Sequence, residues 1–171
     1  METALELIDQ LIAEHKSIAE KTKSVNEAND LTFISNLKKS KNHFVDGDGA
    51  TTVDLKLLEK TLEEIGAQLG KHFSREETIL LPAVQKNGND KLVTALNTLL
   101  FEHSDLRDRL IHMRKRVDEL KDWSLPQEIW YSRAGDLRTY ISHTTKLIET
   151  HAARENHLFR ELQHYLKKQR H

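Results

Sequence analysis

The chain has no cysteine. Disulfides, thiolate metal sites and cysteine nucleophiles are therefore excluded, and the composition suits a reducing compartment. Proline and glycine are also scarce, at two and six in 171 residues. With leucine, glutamate, lysine and arginine abundant, this scarcity predicts an all-helical fold. Charge of neither sign dominates, because 26 Lys and Arg face 27 Asp and Glu. A near-neutral chain gives no electrostatic case for nucleic acid or for an acidic membrane surface. No apolar run approaches the roughly 20 residues of a membrane span. The start, Met1-Glu2-Thr3-Ala4, lacks the apolar core of a signal segment. The expectation is one soluble, cytoplasmic domain over residues 1–171, long enough to bury a core of its own.

What the chain does have is apolar residues spaced alternately three and four apart, in four long segments. The first, about Glu2 to Ser24, carries Leu5, Ile8, Ile12, His15 and Ala19. A weakly patterned stretch follows, with a short helix expected around Leu31 to Val45 and a turn at Asp46-Gly47-Asp48-Gly49. The second segment should start after Thr51 or Thr52 as N-cap. Its line is Leu58, Leu62, Ile65, Leu69, His72, Glu76 and Ile79, and Pro82 should kink or end it. Asn87-Gly88-Asn89 makes the next turn. The third line is Leu92, Leu96, Leu99, His103, Leu106, Leu110, Met113, Val117 and Leu120, and the fourth is Leu137, Ile141, Thr144, Ile148, His151, Glu155, Leu158 and Leu162. Between them Asp122 to Pro126 breaks the helix, with Pro126 suited to a first helical turn. Such spacing is the seam of a bundle with small crossing angles. An up-down-up-down four-helix bundle is predicted, with an irregular or short-helical first connection.

Those seams should be pure hydrocarbon, and they are not. His72 with Glu76, and His151 with Glu155, repeat one pattern on the second and fourth segments, while His15 and His103 sit alone on the others. Residues four apart on a helix share a face, so each pair can reach one metal ion or bridge towards a second. His72 precedes Asn87 by 15 residues and His103 follows Asn89 by 14, which places both at nearly one level. The last hairpin is less tidy, with 19 residues from His103 to Asp122 against 25 from Pro126 to His151. Gly135, or a later helix start, is expected to absorb the difference. Burying this much ionisable surface is costly unless something satisfies it, and a pair of metal ions would. Imidazole and carboxylate donors suit iron, manganese or zinc; carboxylates able to bridge in a bundle core favour iron or manganese.

Other polar residues are weaker candidates. His157 with Glu161 repeats the pair spacing but lies about 120° off the fourth seam, facing solvent. His43, His112, His143, His164 and His171 also fit the seams poorly, although His143 and Tyr140 each fall one place from the fourth line and remain candidate extra ligands. Asp46-Gly-Asp48-Gly fails as a calcium loop, because Thr51 and Leu57 stand where Gly and Glu are needed. The basic run His112 to Arg116 is interrupted by acids on both sides and reads as a solvated face. Glu14 and Glu102 adjoin ligand candidates, but neighbours point about 100° apart, so they should lie at helix interfaces or the surface.

With Glu14-His15, His72-Phe-Ser-Arg-Glu76-Glu-Thr-Ile-Leu-Leu-Pro82, Glu102-His103-Ser-Asp-Leu-Arg107 and His151-Ala-Ala-Arg-Glu155-Asn-His-Leu-Phe159, nearly the whole chain resembles the hemerythrin-like, or HHE cation-binding, family of di-iron bundles. The resemblance implies His15, His72, His103 and His151 as terminal iron ligands. It implies two iron ions bridged by Glu76, Glu155 and an oxo or hydroxo group. Oxygen-carrying members have a further His where this chain has Arg107, and an Asp where it has Asn156. That departure speaks against oxygen transport and for the branch that senses or handles oxygen, nitric oxide, peroxide or iron. The expected function is binding or sensing of a small oxidant or diatomic gas. The alternatives are iron storage, donation or repair of iron centres, and a redox enzyme removing peroxide or nitric oxide. A signalling role would need a separate protein partner.

Overall fold

A computed structural model describes residues 3–29, 50–122 and 124–170. Four rods follow one another along the chain. The first is α1 (Ala4–Glu27); the second joins α2 (Ala50–Arg75), a π-helical turn (Glu76–Leu80) and α3 (Leu81–Asn87). The third joins α4 (Asp90–Leu100) and α5 (Glu102–Glu119), and the fourth is α6 (Gln127–Lys168). Helix α1 packs on α2 and α6, and α5 packs on the same two, so α1 and α5 face each other across the diagonal of a four-helix bundle. Among the described residues there is no strand, and no helix is long and apolar enough to cross a membrane. The short helix expected near Leu31 to Val45 and the Asp46 to Gly49 turn lie outside the described residues.

Local chemistry explains where the rods begin and turn. Thr3 caps α1: its hydroxyl accepts from the Glu6 N–H at 3.2 Å, and the Glu6 carboxylate accepts from the Thr3 N–H at 2.8 Å. This reciprocal box satisfies two otherwise orphaned donors. Helix α2 begins at Ala50, so Thr51 and Thr52 lie inside it rather than capping it. At the second turn, Asn89 caps α4 by accepting from the Leu92 N–H at 2.9 Å. Gly88 is required there by close approach, since its N–H lies 2.6 Å from the Val84 carbonyl and an added Cβ would stand 2.5 Å from that oxygen. Gly88→Ala is expected to cost about 1–3 kcal/mol, the range for forced overpacking, read as a lower melting temperature.

The seams run as predicted on the third and fourth rods. On α1 the line through His15 is rotated: Ile8, Leu11, His15, Ile18, Thr22 and Val25 are buried, while Leu5 and Ile12 are half-buried and Ala19 is exposed. Both lines keep the three-four rhythm, and the one carrying more bulk in its later turns gains more from burial. On the second rod the predicted line holds to Glu76 and then slips, because Ile79 is 47% exposed and Leu80 is fully buried. The π turn causes the slip. Leu81 donates its N–H to the Glu76 carbonyl, five residues back, so one extra residue is wound into the turn. Pro82 follows in the first turn of α3, where its missing N–H is tolerated, and the rod neither ends nor breaks there.

The last hairpin absorbs its mismatch differently from expectation. Helix α6 is unbroken across Gly135 and starts at Gln127. From the level shared by His103 and His151, α5 has 17 residues to Leu120 and α6 has 24 back to Gln127. At 1.5 Å per residue, α6 overhangs by about 10 Å. Trp130, fully buried, ties the overhang down by donating its indole N–H to the Leu120 carbonyl at 3.0 Å.

Two separate apolar clusters fill the bundle. One, from Ile18 through Leu62, Leu110 and Trp130 to Ile148, occupies the end of the last hairpin. The other, from Leu7 through Leu80, Leu96 and Phe159 to Leu166, occupies the opposite end. Between them lies a buried polar layer of His15, His72, Glu76, His103, His151 and Glu155.

Candidate metal centre

All six residues singled out by the seams meet in that layer. Every ring turns Nε2 inwards. The Nε2 atoms of His15 and His72 are 2.8 Å apart, and those of His103 and His151 are 3.1 Å apart. Glu155 lies between the two pairs. Its Oε2 is 2.8 Å from His15 and 3.6 Å from His72, and its Oε1 is 3.2 Å from His103 and 2.5 Å from His151. Glu76 does likewise, with Oε1 3.1 Å from His72 and Oε2 3.1 Å from His103. Two donor groups able to hold an ion result: His15, His72, Glu76 and Glu155, and His103, His151 and Glu155.

The outward nitrogens explain the protonation pattern. Nδ1 of His72 meets Glu14 at 2.8 Å, Nδ1 of His103 meets Glu77 at 2.9 Å, and Nδ1 of His151 meets Glu102 at 2.8 Å. Each carboxylate is in turn held by an arginine: Glu14 by Arg75, Glu102 by Arg154, and Glu77 by Arg107 through two bonds of 2.7 and 3.0 Å. His15 differs, because its Nδ1 meets the amide oxygen of Asn156 at 2.7 Å. An acceptor opposite every Nδ1 fixes the proton there and leaves Nε2 with a lone pair. Lone pairs then face carboxylate oxygens at close range, which repels unless positive charge lies between them.

Protons supply part of that charge in the metal-free protein. Burial pulls the His72 imidazole down, yet hydrogen bonds to Glu155, Glu76 and Glu14 outweigh it and raise its pKa to about 10. The same contest, with Glu155, Glu76 and Glu77, raises His103 to about 9, and His151 is also raised against its burial. Burial likewise pushes Glu155 up, but the four histidines hold it well below the usual carboxylate range. Glu76 is not satisfied this way. Both its oxygens are buried with no hydrogen-bond partner among the described residues, although imidazole nitrogens stand within ion-pair distance. Buried orphan oxygens beside lone-pair nitrogens fit a cation. The spacing agrees, since neighbouring donors about 2.1 Å from one ion lie about 3 Å from each other.

Protons and cations thus compete for Nε2. The raised imidazole pKa values stabilise the metal-free fold fully below about pH 6.5, and that contribution fades as pH rises through 9 to 10. Metal uptake at neutral pH should therefore release protons, and apparent affinity should climb with pH until about 10. Unbuffered titration of apoprotein with Mn(II) checks this by the pH drop.

Aromatic rings close the layer. Phe73 stacks on His103 with centroids 3.8 Å apart, and Phe159 stacks on His15 at 5.6 Å. The remaining candidates do not join: His112, His143, His157 and His164 are exposed, and Tyr140 lies under the Arg116 guanidinium at 4.4 Å. Glu14 and Glu102 stand at helix interfaces, each reaching a histidine on the neighbouring rod. The sequence reading passed over Glu77, Asn156 and the three arginines. Their signal was present, since His-x-x-Arg-Glu occurs at both His72 to Glu76 and His151 to Glu155.

A four-helix bundle with a polar layer of imidazoles and carboxylates across its core is a cation-binding protein. The chain belongs to the hemerythrin HHE cation binding domain family, whose model matches residues 6–163. No curated protein and no solved structure matches it.

Proposed function

We propose that His15, His72, His103 and His151 are terminal ligands, and Glu76 and Glu155 bridging ligands, of two iron ions. On this reading the centre binds or senses a small oxidant or diatomic gas: oxygen, nitric oxide or peroxide. The observation that carries it is the division of each carboxylate, with one oxygen on the His15–His72 side and the other on the His103–His151 side. Nitrogen and oxygen donors without thiolates, two of them placed to bridge, favour iron or manganese over structural zinc. Iron held by so few protein donors supplies an open position for an exogenous ligand and a change of redox state.

The surrounding residues do the rest. The Glu–Arg pairs orient the rings, and Phe73 and Phe159 keep bulk water out of the layer. Arg107 holds Glu77 instead of supplying a fifth imidazole, which leaves fewer protein ligands than an oxygen carrier has. Burial of all six donors favours a small ligand over release of iron to an acceptor. A signalling output would pass through a protein partner.

The test is optical. Iron-loaded, reduced protein should develop a stable new absorption band with oxygen, nitric oxide or peroxide. Sustained consumption of peroxide or nitric oxide would make it an enzyme, and rapid iron transfer to an apo-acceptor would make it a donor. Unchanged spectra with all three ligands would reject the reading.

A further inference from the structure

Two grooves flank α6. The larger, about 670 Å³, lies against α4 and is lined by Ala95, Thr98, Thr150, His157 and Glu161, with none of the six converging donors in its walls. The smaller, about 440 Å³, lies between α1 and α6, and His15 and Asn156 are part of its lining. His15 is also the most exposed of the six donors, at 4%, whereas His72, Glu76 and His103 are at 0%. The other walls of this cleft are mainly apolar and small: Ile12 and Ala13 from α1, Ile148 and Ala152 from α6.

The floor of the cleft is also where the support of the rings changes. Three histidines are held by a carboxylate that is itself gripped by an arginine. His15 is held by a neutral amide, and no arginine braces Asn156 among the described residues. A ring anchored by a charge-assisted pair loses more on swinging aside than one anchored by a neutral bond. The least restrained imidazole of the layer thus stands at the one cleft that touches it.

We infer that the α1–α6 cleft is the way in to the centre, with the His15–Asn156 pair as its floor and the small residues Ala13 and Ala152 setting the size of what passes. The species admitted is a compact one, a diatomic gas, azide or a partly stripped metal ion, arriving along apolar walls. The inference rests on the reading of the layer as a two-ion centre. Bulk added in the cleft should slow arrival and leave the equilibrium unchanged, because the ligands themselves are untouched.

Ala152→Phe and Ala13→Phe fill the cleft from opposite walls, so misfolding of one leaves the other to report. Thr98→Phe fills the larger groove as a control. Two rates are measured by stopped flow: uptake of Mn(II) by apoprotein, and association of azide with the oxidised iron-loaded protein. Each cleft variant should slow both by about tenfold or more, the effect of roughly 1.4 kcal/mol on a barrier, with metal content per chain unchanged. Thr98→Phe should match wild type. Unslowed rates in both cleft variants, or equal slowing by Thr98→Phe, would overturn the inference. Failure of the functional reading looks different: wild-type protein would then take up ions without binding azide, and the Mn(II) rates would still decide the way in. Wild-type protein that takes up no ion would overturn both.

Discussion

Glu155→Gln should abolish metal loading at both positions of the layer. Its carboxylate is the one group within 3.6 Å of all four imidazoles. An amide keeps the shape but loses the charge and one acceptor, so neither ion retains its shared anionic ligand. Changes one step farther from a metal already cost about 10–100-fold in affinity, so loss of a shared ligand should exceed about 100-fold. Stability follows by linkage. An ion present at about 1,000 times its Kd adds about 4 kcal/mol, and in a chain of this size each kcal/mol moves Tm by about 2–4 °C. Metal should thus raise the wild-type Tm by about 8–16 °C or more, and Glu155→Gln should show almost none of that rise. Glu161→Gln is the matched control, because the His157–Glu161 pair is 3.5 Å apart and exposed. Calorimetry with and without Mn(II) reads both effects.

Trp130→Ala should do the reverse, costing stability and sparing the metal. The indole is fully buried and makes the bond that ties α6 to the end of α5. Truncation of a large buried aromatic costs about 3–5 kcal/mol, which for this chain lowers Tm by about 6–20 °C. Trp130 precedes His151 by 21 residues on an unbroken helix, about 30 Å away, so the layer itself is not disturbed. Metal content of the folded fraction should remain that of wild type. Loss of metal with loss of the indole would mean that the overhanging hairpin sets the register of His151.

The division between what the chain announces and what only folding reveals has a physical basis. Seams on the third and fourth rods were legible because regular α-helix carries its period without interruption, and His103, His151 and Glu155 fell into place with it. The second rod was legible only as far as Glu76. Beyond it the π turn inserts a residue, and hydrophobic spacing alone cannot tell a slip from a surface-exposed isoleucine such as Ile79. On α1 two interleaved lines of equal rhythm pass through His15, so the imidazole was placed correctly while its neighbours were not. The Glu–Arg supports stayed hidden for another reason. Glu14 and Glu102 act on histidines of the next rod, and one-dimensional spacing within a helix carries no information about contacts between helices. The overhang of α6 was equally out of reach, since it is fixed by how one indole docks rather than by any count of residues.

Anomalous scattering at the iron edge, from crystals of protein loaded anaerobically with Fe(II), tests the whole account most directly. Two peaks are expected, one beside the His15 and His72 Nε2 atoms and one beside those of His103 and His151, with the Glu76 and Glu155 carboxylates between them. A single peak, or iron bound elsewhere with the layer empty, would contradict it.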